Sequence, residues 1–276
     1  MNGLMESFLG QNRLTEAELD VFRAHLESKT KWLDRREIGY LFVVAPDKQS
    51  IYPDHLPRDI QEHGGQTRFD QLIEHMQQNS SLDVLDLRPA LLQARESRQV
   101  YYRTDAHWNV DGVVAAYHEI MKRVQAMFPD ASLPVVSSVE QRRVFAPRGD
   151  LANIIQLEDH LAEKIMVPDL RDGCARPLRM DLPGVSADHA FQCATGALRV
   201  VMFVDSFALA LEMLFAESFR ELVVVWQPYD HDLMVQLVDR FRPNLVIEEM
   251  AERYLDRVRP PERTIVADPI GSVDGG

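Results

Sequence analysis

A chain of 276 residues, 46% hydrophobic and 26% charged, can bury a large core and sits at the upper end of one α/β domain. Its formal net charge of −13 and isoelectric point near 5.1 argue against a nucleic-acid surface, although Arg142, Arg143 and Arg148 form a local basic patch. No apolar run is long enough to span a bilayer, and the sequence has no HExxH, CxxC or Cys/His cluster, so neither a metal nor a cofactor is expected.

The first residues, MNGLMESFLGQNRLT, lack a basic stretch followed by an apolar core and do not read as a secretory leader. Either the protein is cytoplasmic or its natural start lies upstream. TEAE at 15–18 then reads as a capping box, and Leu19, Phe22, Leu26, Thr30 and Leu33 follow as one helical face. GYLFVVAP, 39–46, is a buried strand. Three prolines among the polar residues of 46–57 predict a loop. A helix over 66–78 uses Phe69, Leu72, Ile73 and Met76; LDVLDL, 82–87, is a second strand; Pro89 opens a short helix. Beyond TDAHWN, 104–109, a helix runs from Val110 to Met127, capped by Asn109, with Asp111 in its first turn. Gly112 weakens that helix, which points to a close neighbour.

From 129 to 196 the periodicity fails, and the convincing regular piece lies at 153–165. The region also holds Cys174 and Cys193, which read equally as a disulfide of an oxidising compartment or as two buried thiols. Strand 200–204, helix 207–219, strand 221–226, helix 230–241, strand 244–249 and helix 250–257 complete the core, with an extended or disordered tail from 259. Helices alternating with buried strands imply a parallel sheet covered on both faces.

The chemistry concentrates at two of these junctions. VVMFV, 200–204, turns through Asp205, Ser206 and Phe207 directly into a helix, which places Ser206 at the carboxyl edge of the sheet beside a helix start. A serine there can attack a carbonyl while N–H groups at 207–209 hold the oxyanion. The plainer reading makes Ser206 an N-cap. In DAHW, Asp105 and His107 are two apart, so Asp105 can accept from His107 Nδ1–H and leave Nε2 to take a proton. The plainer reading there is a polar loop with His107 packed on Trp108. Together the junctions give a Ser–His–Asp triad in chain order Asp, His, Ser, with Trp108 excluding water.

TDAHWN, RGDL at 148–151 and DSF at 205–207, in that order, resemble the SGNH-hydrolase-like domain of bacterial alginate O-acetyltransferases. VVAPDKQSIYPDHLP and RPNLVIEEMAERYL extend the resemblance over roughly residues 14–255. It implies a three-layer α/β/α sandwich with a mainly parallel sheet, over one catalytic domain at 1–258 with an irregular insertion at 129–197. It further implies Ser206 as nucleophile, His107 as general base and acid, and Asp105 as its orienter. The implied activity is acetyl transfer to hydroxyls of an exopolysaccharide in the periplasm, the donor supplied through a membrane-bound acyltransferase. Val204 departs from the glycine that GDSL esterases carry at that place. Trp108, Asp150 and Asn153 are the expected substrate-side residues, Asp150 competing with a Gly-Asp turn and Asn153, an oxyanion donor in SGNH enzymes, with a helix cap. Lys48 and Tyr52 are expected to brace a loop, and Arg253 and Tyr254 to be structural. An acetyl esterase and a non-catalytic polysaccharide-binding or scaffold subunit are the alternatives.

Overall fold

Apolar runs without polar alternation become the five central strands, because each is covered on both faces. In the computed structural model the described residues are 4–257, apart from 138–139, 145–148, 162, 164, 171–172 and 182–183. The predicted tail, Arg148 and the side chains of Arg142 and Arg143 lie outside them. The strands are β1 (Gly39–Ala45), β2 (Val84–Asp86), β3 (Glu140–Val144), β4 (Ile165–Asp169), β5 (Arg176–Pro177), β6 (Ala190–Gln192), β7 (Arg199–Phe203), β8 (Glu221–Val225) and β9 (Leu245–Ala251). One sheet has the order β2-β1-β9-β7-β8-β6-β5; its first five strands are parallel, and β6 and β5 continue it antiparallel. β3 and β4 form a separate antiparallel pair.

The pleat divides the core in two. Leu41, Val43 and Ala45 of β1 face helices Arg88–Arg95, Val110–Met127 and Leu209–Ala216, meeting Leu91, Tyr117, Ile120 and Phe215. Tyr40, Phe42 and Val44 face the opposite layer, helices Glu16–Asp34, Arg68–Asn79 and His231–Phe241, meeting Leu26, Leu72 and Leu237. The result is an α/β/α sandwich, as expected. β1 leads outward to β2 and β7 leads the other way to β8, so their chains diverge above β9. In open parallel sheets that divergence leaves the ligand crevice.

The helix starts follow their sequence signals. Thr15 with Glu18, and Thr67 with Asp70, close complete capping boxes, while Asn109 accepts the Gly112 N–H at 3.1 Å. A Cβ on Gly112 would lie 2.2 Å from the Val100 carbonyl oxygen, which accounts for glycine inside that helix.

Other expectations need correction. The stretch 46–57 contains a helical turn, Lys48–Ile51, and a 3-10 turn, Pro53–His55, in which proline occupies an early position it tolerates. The predicted helix 207–219 is a 3-10 turn, Ser206–Ala208, followed by helix Leu209–Ala216. In place of the regular piece expected at 153–165 stands a short helix, Asp150–Ile154. The predicted helix 250–257 is the end of β9 and a 3-10 segment, Glu252–Arg257, because Met250 and Ala251 still pair with Val44 and Ala45 of β1.

Cys174 and Cys193 form a disulfide, with their Cα atoms 5.2 Å apart. It ties the segment between β4 and β5 to the end of β6. A Cys174→Ser/Cys193→Ser variant is expected to lose about 3 kcal/mol of unfolding free energy, the chain-entropy value for a loop of this size. Denaturant titration checks this, with thiol-reduced wild type expected to fall on the variant's curve.

Candidate active site

β7 ends at Phe203, and the turn after it is fixed by Asp205. Its Oδ1 accepts the Phe207 N–H at 3.0 Å and its Oδ2 accepts the Ala251 N–H, from the end of β9, at 2.7 Å. Burial pushes this carboxyl up, against the pull of those two N–H groups. Asp205 is therefore the N-cap, and the cap reading of Ser206 fails. Relieved of that duty, the Ser206 side chain is exposed at the sheet's carboxyl edge.

The second junction is a tight hairpin. Tyr101 and Trp108 make an antiparallel bridge, the Tyr102 N–H donates to the His107 carbonyl at 3.2 Å, and the Asn109 N–H donates to the Val100 carbonyl at 3.0 Å. At its tip Asp105 Oδ1 accepts the His107 backbone N–H at 2.9 Å and lies 2.6 Å from His107 Nδ1. The Asp–His pairing thus arises from an Asx turn and not from the alternation of an extended chain. Burial pushes the Asp105 carboxyl up, but the His107 ring, the His107 N–H and the Asp150 N–H outweigh it and hold the group at about 2. An ionised Asp105 keeps the proton on Nδ1. His107 Nε2, left to accept, stands 2.8 Å from Ser206 Oγ.

Neighbours hold this tip from below. Lys48 Nζ donates to the carbonyls of Arg103 and Asp105 at 3.0 and 3.1 Å, and the Val100 N–H donates to Tyr52 Oη, so both residues brace the loop. Asp150 Oδ1 accepts the Ala106 N–H at 2.7 Å, while the Asp150 N–H donates to Asp105 Oδ2 at 3.1 Å. Asp150 therefore orients the carboxylate behind the histidine. A Cβ on the preceding Gly149 would lie 2.1 Å from the Thr104 carbonyl oxygen, so glycine permits that approach. Glu163 Oε2, from the irregular insertion, accepts the N–H groups of Arg103 and Thr104 at 2.6 and 3.0 Å, a clamp the sequence pattern gave no means of finding.

Trp108 is 4% exposed, and its indole N–H donates to the Phe207 carbonyl at 2.9 Å, so it floors the site and does not face substrate. Asn153 is exposed inside helix Asp150–Ile154, whose cap is Gly149; it is neither that cap nor bonded to the serine junction. Of the N–H groups at 207–209 expected to hold an oxyanion, two are engaged: Phe207 donates to the Asp205 side chain and Ala208 to its carbonyl. Asp105, His107 and Asp150 offer ligand atoms within 4.8 Å of one another, but both Asp105 oxygens and Asp150 Oδ1 already accept N–H groups. Arg253 pairs with Asp47 and lies over the Phe207 ring, a structural role as expected.

Two cavities flank the junction. One, of about 530 Å³, is lined by Ser206, Asp205, Trp226, Tyr229, Glu249 and Tyr254 among others. The other, of about 780 Å³, is lined by Lys48, Tyr52, Arg98, Tyr102, Arg103 and Asp150 among others.

A mainly parallel sandwich with a serine, a histidine and an aspartate meeting at its carboxyl edge, in chain order Asp, His, Ser, defines an SGNH-hydrolase-like protein. The chain belongs to the family described as SGNH hydrolase-like domain, acetyltransferase AlgX, whose model matches residues 5–173. That span includes Asp105, His107 and Asp150 and ends before Ser206. The chain is 23% identical over 228 residues to a probable alginate O-acetylase AlgJ of Pseudomonas putida, covering 78% of itself and 58% of that protein. It therefore spans about three fifths of that relative's length. Its fold resembles that of Bacillus cereus PatB1, with a TM-score of 0.61 and 17% identity over 87% of this chain and 91% of that one. It also resembles the O-acetyltransferase domain of Pseudomonas putida AlgJ, with a TM-score of 0.58 and 16% identity over 88% and 85%. Among the described residues no helix is long and apolar enough to cross a membrane.

The depressed Asp105 group makes acid stability a readout of its bonds. Stability from a lowered carboxyl is complete above the unfolded value near 3.8 and is lost as pH falls toward 2. Over that window wild type is expected to lose ~2 kcal/mol more than Asp105→Asn, measured by denaturant unfolding at stepped pH.

Proposed function

We propose that the chain is an O-acetyltransferase that moves an acetyl group onto hydroxyls of a bacterial exopolysaccharide of the alginate type, through an acetyl-serine on Ser206. The observation that carries this is the alignment of Ser206 Oγ, His107 Nε2 and the Asp105 carboxylate at 2.8 and 2.6 Å. Ser206 Oγ attacks the donor carbonyl as His107 takes its proton, and the protonated imidazole returns that proton to the leaving group. A sugar hydroxyl, deprotonated by the same His107, then attacks the acetyl carbonyl; the bond from that carbon to Ser206 Oγ breaks, and Oγ takes the proton back from His107. Asp105 holds the ring and stabilises its charged form. In this reading a membrane-bound acyltransferase partner delivers the acetyl donor. The site is periplasmic, which accords with the Cys174–Cys193 disulfide.

An acidic acceptor is supported by the larger cavity, where Lys48, Arg98 and Arg103 gather in a chain of net charge −13. Tyr52 and Tyr102 beside them offer faces on which sugar rings stack.

Ser206→Ala is expected to lower acetyl transfer to an oligosaccharide on the order of 10⁴-fold without changing the circular dichroism. Mass spectrometry of the trapped wild-type enzyme is expected to find the acetyl group on the Ser206 peptide. A Ser206→Ala protein as active as wild type would sink the reading, and acetate released with none on the sugar would make the chain an esterase. Arg98→Glu/Arg103→Glu is expected to raise KM for an acidic oligosaccharide about tenfold or more, with acetylation of Ser206 unaffected.

A further inference from the structure

Two partners in the chemistry above must meet His107. The alcohol that leaves the donor takes its proton from Nε2, and the acceptor hydroxyl later gives one to the same atom. Both therefore lie on the side of the imidazole. That side belongs to the layer of Trp108 and Phe207, and the His107 ring packs on Phe207 with centroids 4.8 Å apart. The acyl chain exchanges no proton and can point the other way, where the structure has room. The cavity of about 530 Å³ that reaches Ser206 is walled by Phe22 and Leu26 of helix Glu16–Asp34, Phe42 of β1, Met250 of β9, and Tyr229. All five pack in the opposite layer. Phe42 is level with Glu248, and Glu248 with Phe203, three residues before Ser206. At the rise of a strand that puts Phe42 roughly 10 Å below the serine.

We propose that this cavity receives the acyl chain of the donor, so that chains longer than acetyl, such as butanoyl and hexanoyl, are also loaded onto Ser206. The proposal rests on the reading of Ser206 as nucleophile. Ser206 Oγ bonds to the carbonyl carbon as its proton passes to His107 Nε2. The bond from that carbon to the alcohol oxygen then breaks, and the alcohol takes the proton from His107. Throughout, the alkyl chain stays in the cavity. A dry cavity of ~150 Å³ already takes up a benzene ring, so this one is far larger than the methyl of an acetyl group requires.

The wall suits an uncharged chain. Lys29 contacts both carboxylate oxygens of Glu248, at 2.6 and 2.8 Å, and Glu248 also accepts from the Tyr40 hydroxyl. Asp205 directs its oxygens to the N–H groups of Phe207 and Ala251, and Glu249 Oε2 accepts the Asp205 N–H. His25 is pushed down to about 4, mainly by burial, and is neutral at pH 7. An acyl group ending in a carboxylate would find Lys29 already paired, whereas Lys48, Arg98 and Arg103 gather in the other cavity. The two cavities thus divide the substrates, the acyl chain on one side and the acidic acceptor on the other.

The test is a series of p-nitrophenyl acetate, butanoate and hexanoate with no sugar present, each rate corrected for Ser206→Ala, because kcat/KM then reports acylation. Burial of each added CH₂ contributes up to about fourfold, so hexanoate is expected to exceed acetate about tenfold or more. Mass spectrometry is expected to find hexanoyl on the Ser206 peptide. Met250→Trp, which puts an indole into the cavity, is expected to lower the hexanoate-to-acetate ratio about tenfold or more. A wild-type kcat/KM that is flat or falls along the series overturns the proposal, as does a Met250→Trp protein with the wild-type ratio. Should that variant fail to fold, the wild-type series decides. Acetate that acylates Ser206 while hexanoate does not overturns this proposal and leaves the nucleophile standing. A Ser206→Ala protein that cleaves all three esters like wild type overturns both.

Discussion

The site depends on one buried hydrogen bond, from the Trp108 indole N–H to the Phe207 carbonyl at 2.9 Å. The two residues are 99 positions apart, and each lies next to a member of the Ser206–His107 pair. Indole N–H and carbonyl are both out of water, so separating them would leave two unpaired groups. The rings reinforce the link, since Phe207 meets Trp108 edge-on at 5.2 Å and His107 at 4.8 Å between centroids. Loop and turn are thus locked behind the reacting atoms. The 2.8 Å contact between imidazole and hydroxyl does not have to hold them together, which leaves it able to break and re-form during turnover.

Four acidic side chains near this edge are driven in opposite directions by what surrounds them. Asp105 is only half-buried, three donors converge on it, and it is held at about 2. Asp205 accepts the Phe207 and Ala251 N–H groups and Glu249 accepts the Asp205 N–H, yet burial outweighs these donors and both are pushed up. Glu252 is pushed up to about 7 by burial and by the neighbouring Asp47, while accepting the Asp47 N–H and the Ser50 hydroxyl. The balance of burial against donors, and not sequence neighbourhood, sets the direction in which each carboxyl is driven.

The parallel core was legible because it is built from unbroken apolar runs and helical stripes, and both signals are local. The Asp–His–Ser order was legible because each member sits at a strand or loop end leading into a helix. What failed was governed by tertiary contacts. β9 continues through Met250 and Ala251 because β1 is there to pair with, a fact absent from RPNLVIEEMAERYL itself. Helix 207–219 shortens because Asp205 caps a 3-10 turn and not a full helix. Asn153 looked like a site residue by family position, yet its helix is capped by Gly149 and carries it outward. The clamp from Glu163 lies in a region without periodicity. Glu249 did have a local signal, a charged pair within a buried strand, and such a pair calls for a partner search: Glu248 has Lys29 and Tyr40, Glu249 has only half of what it needs.

The exposure of Ser206 bears on how transfer could prevail over hydrolysis. Trp108 was expected to keep water away, but it is buried beneath the site and cannot do so. The hydroxyl instead stands open at the rim, with one cavity on the side of Trp226 and Tyr229 and another, carrying Lys48, Arg98, Arg103, Tyr52 and Tyr102, on the side of Asp150. An internal sugar of a long polymer cannot enter a closed pocket; it can lie across such a rim. On the transferase reading the acceptor itself displaces water from the acyl-serine, and it does so only while the chain is held on both sides. Small alcohols, which bring no such cover, would compete with water on chemical reactivity alone. Selectivity for a polymer would then follow from the openness of the serine and would require no lid.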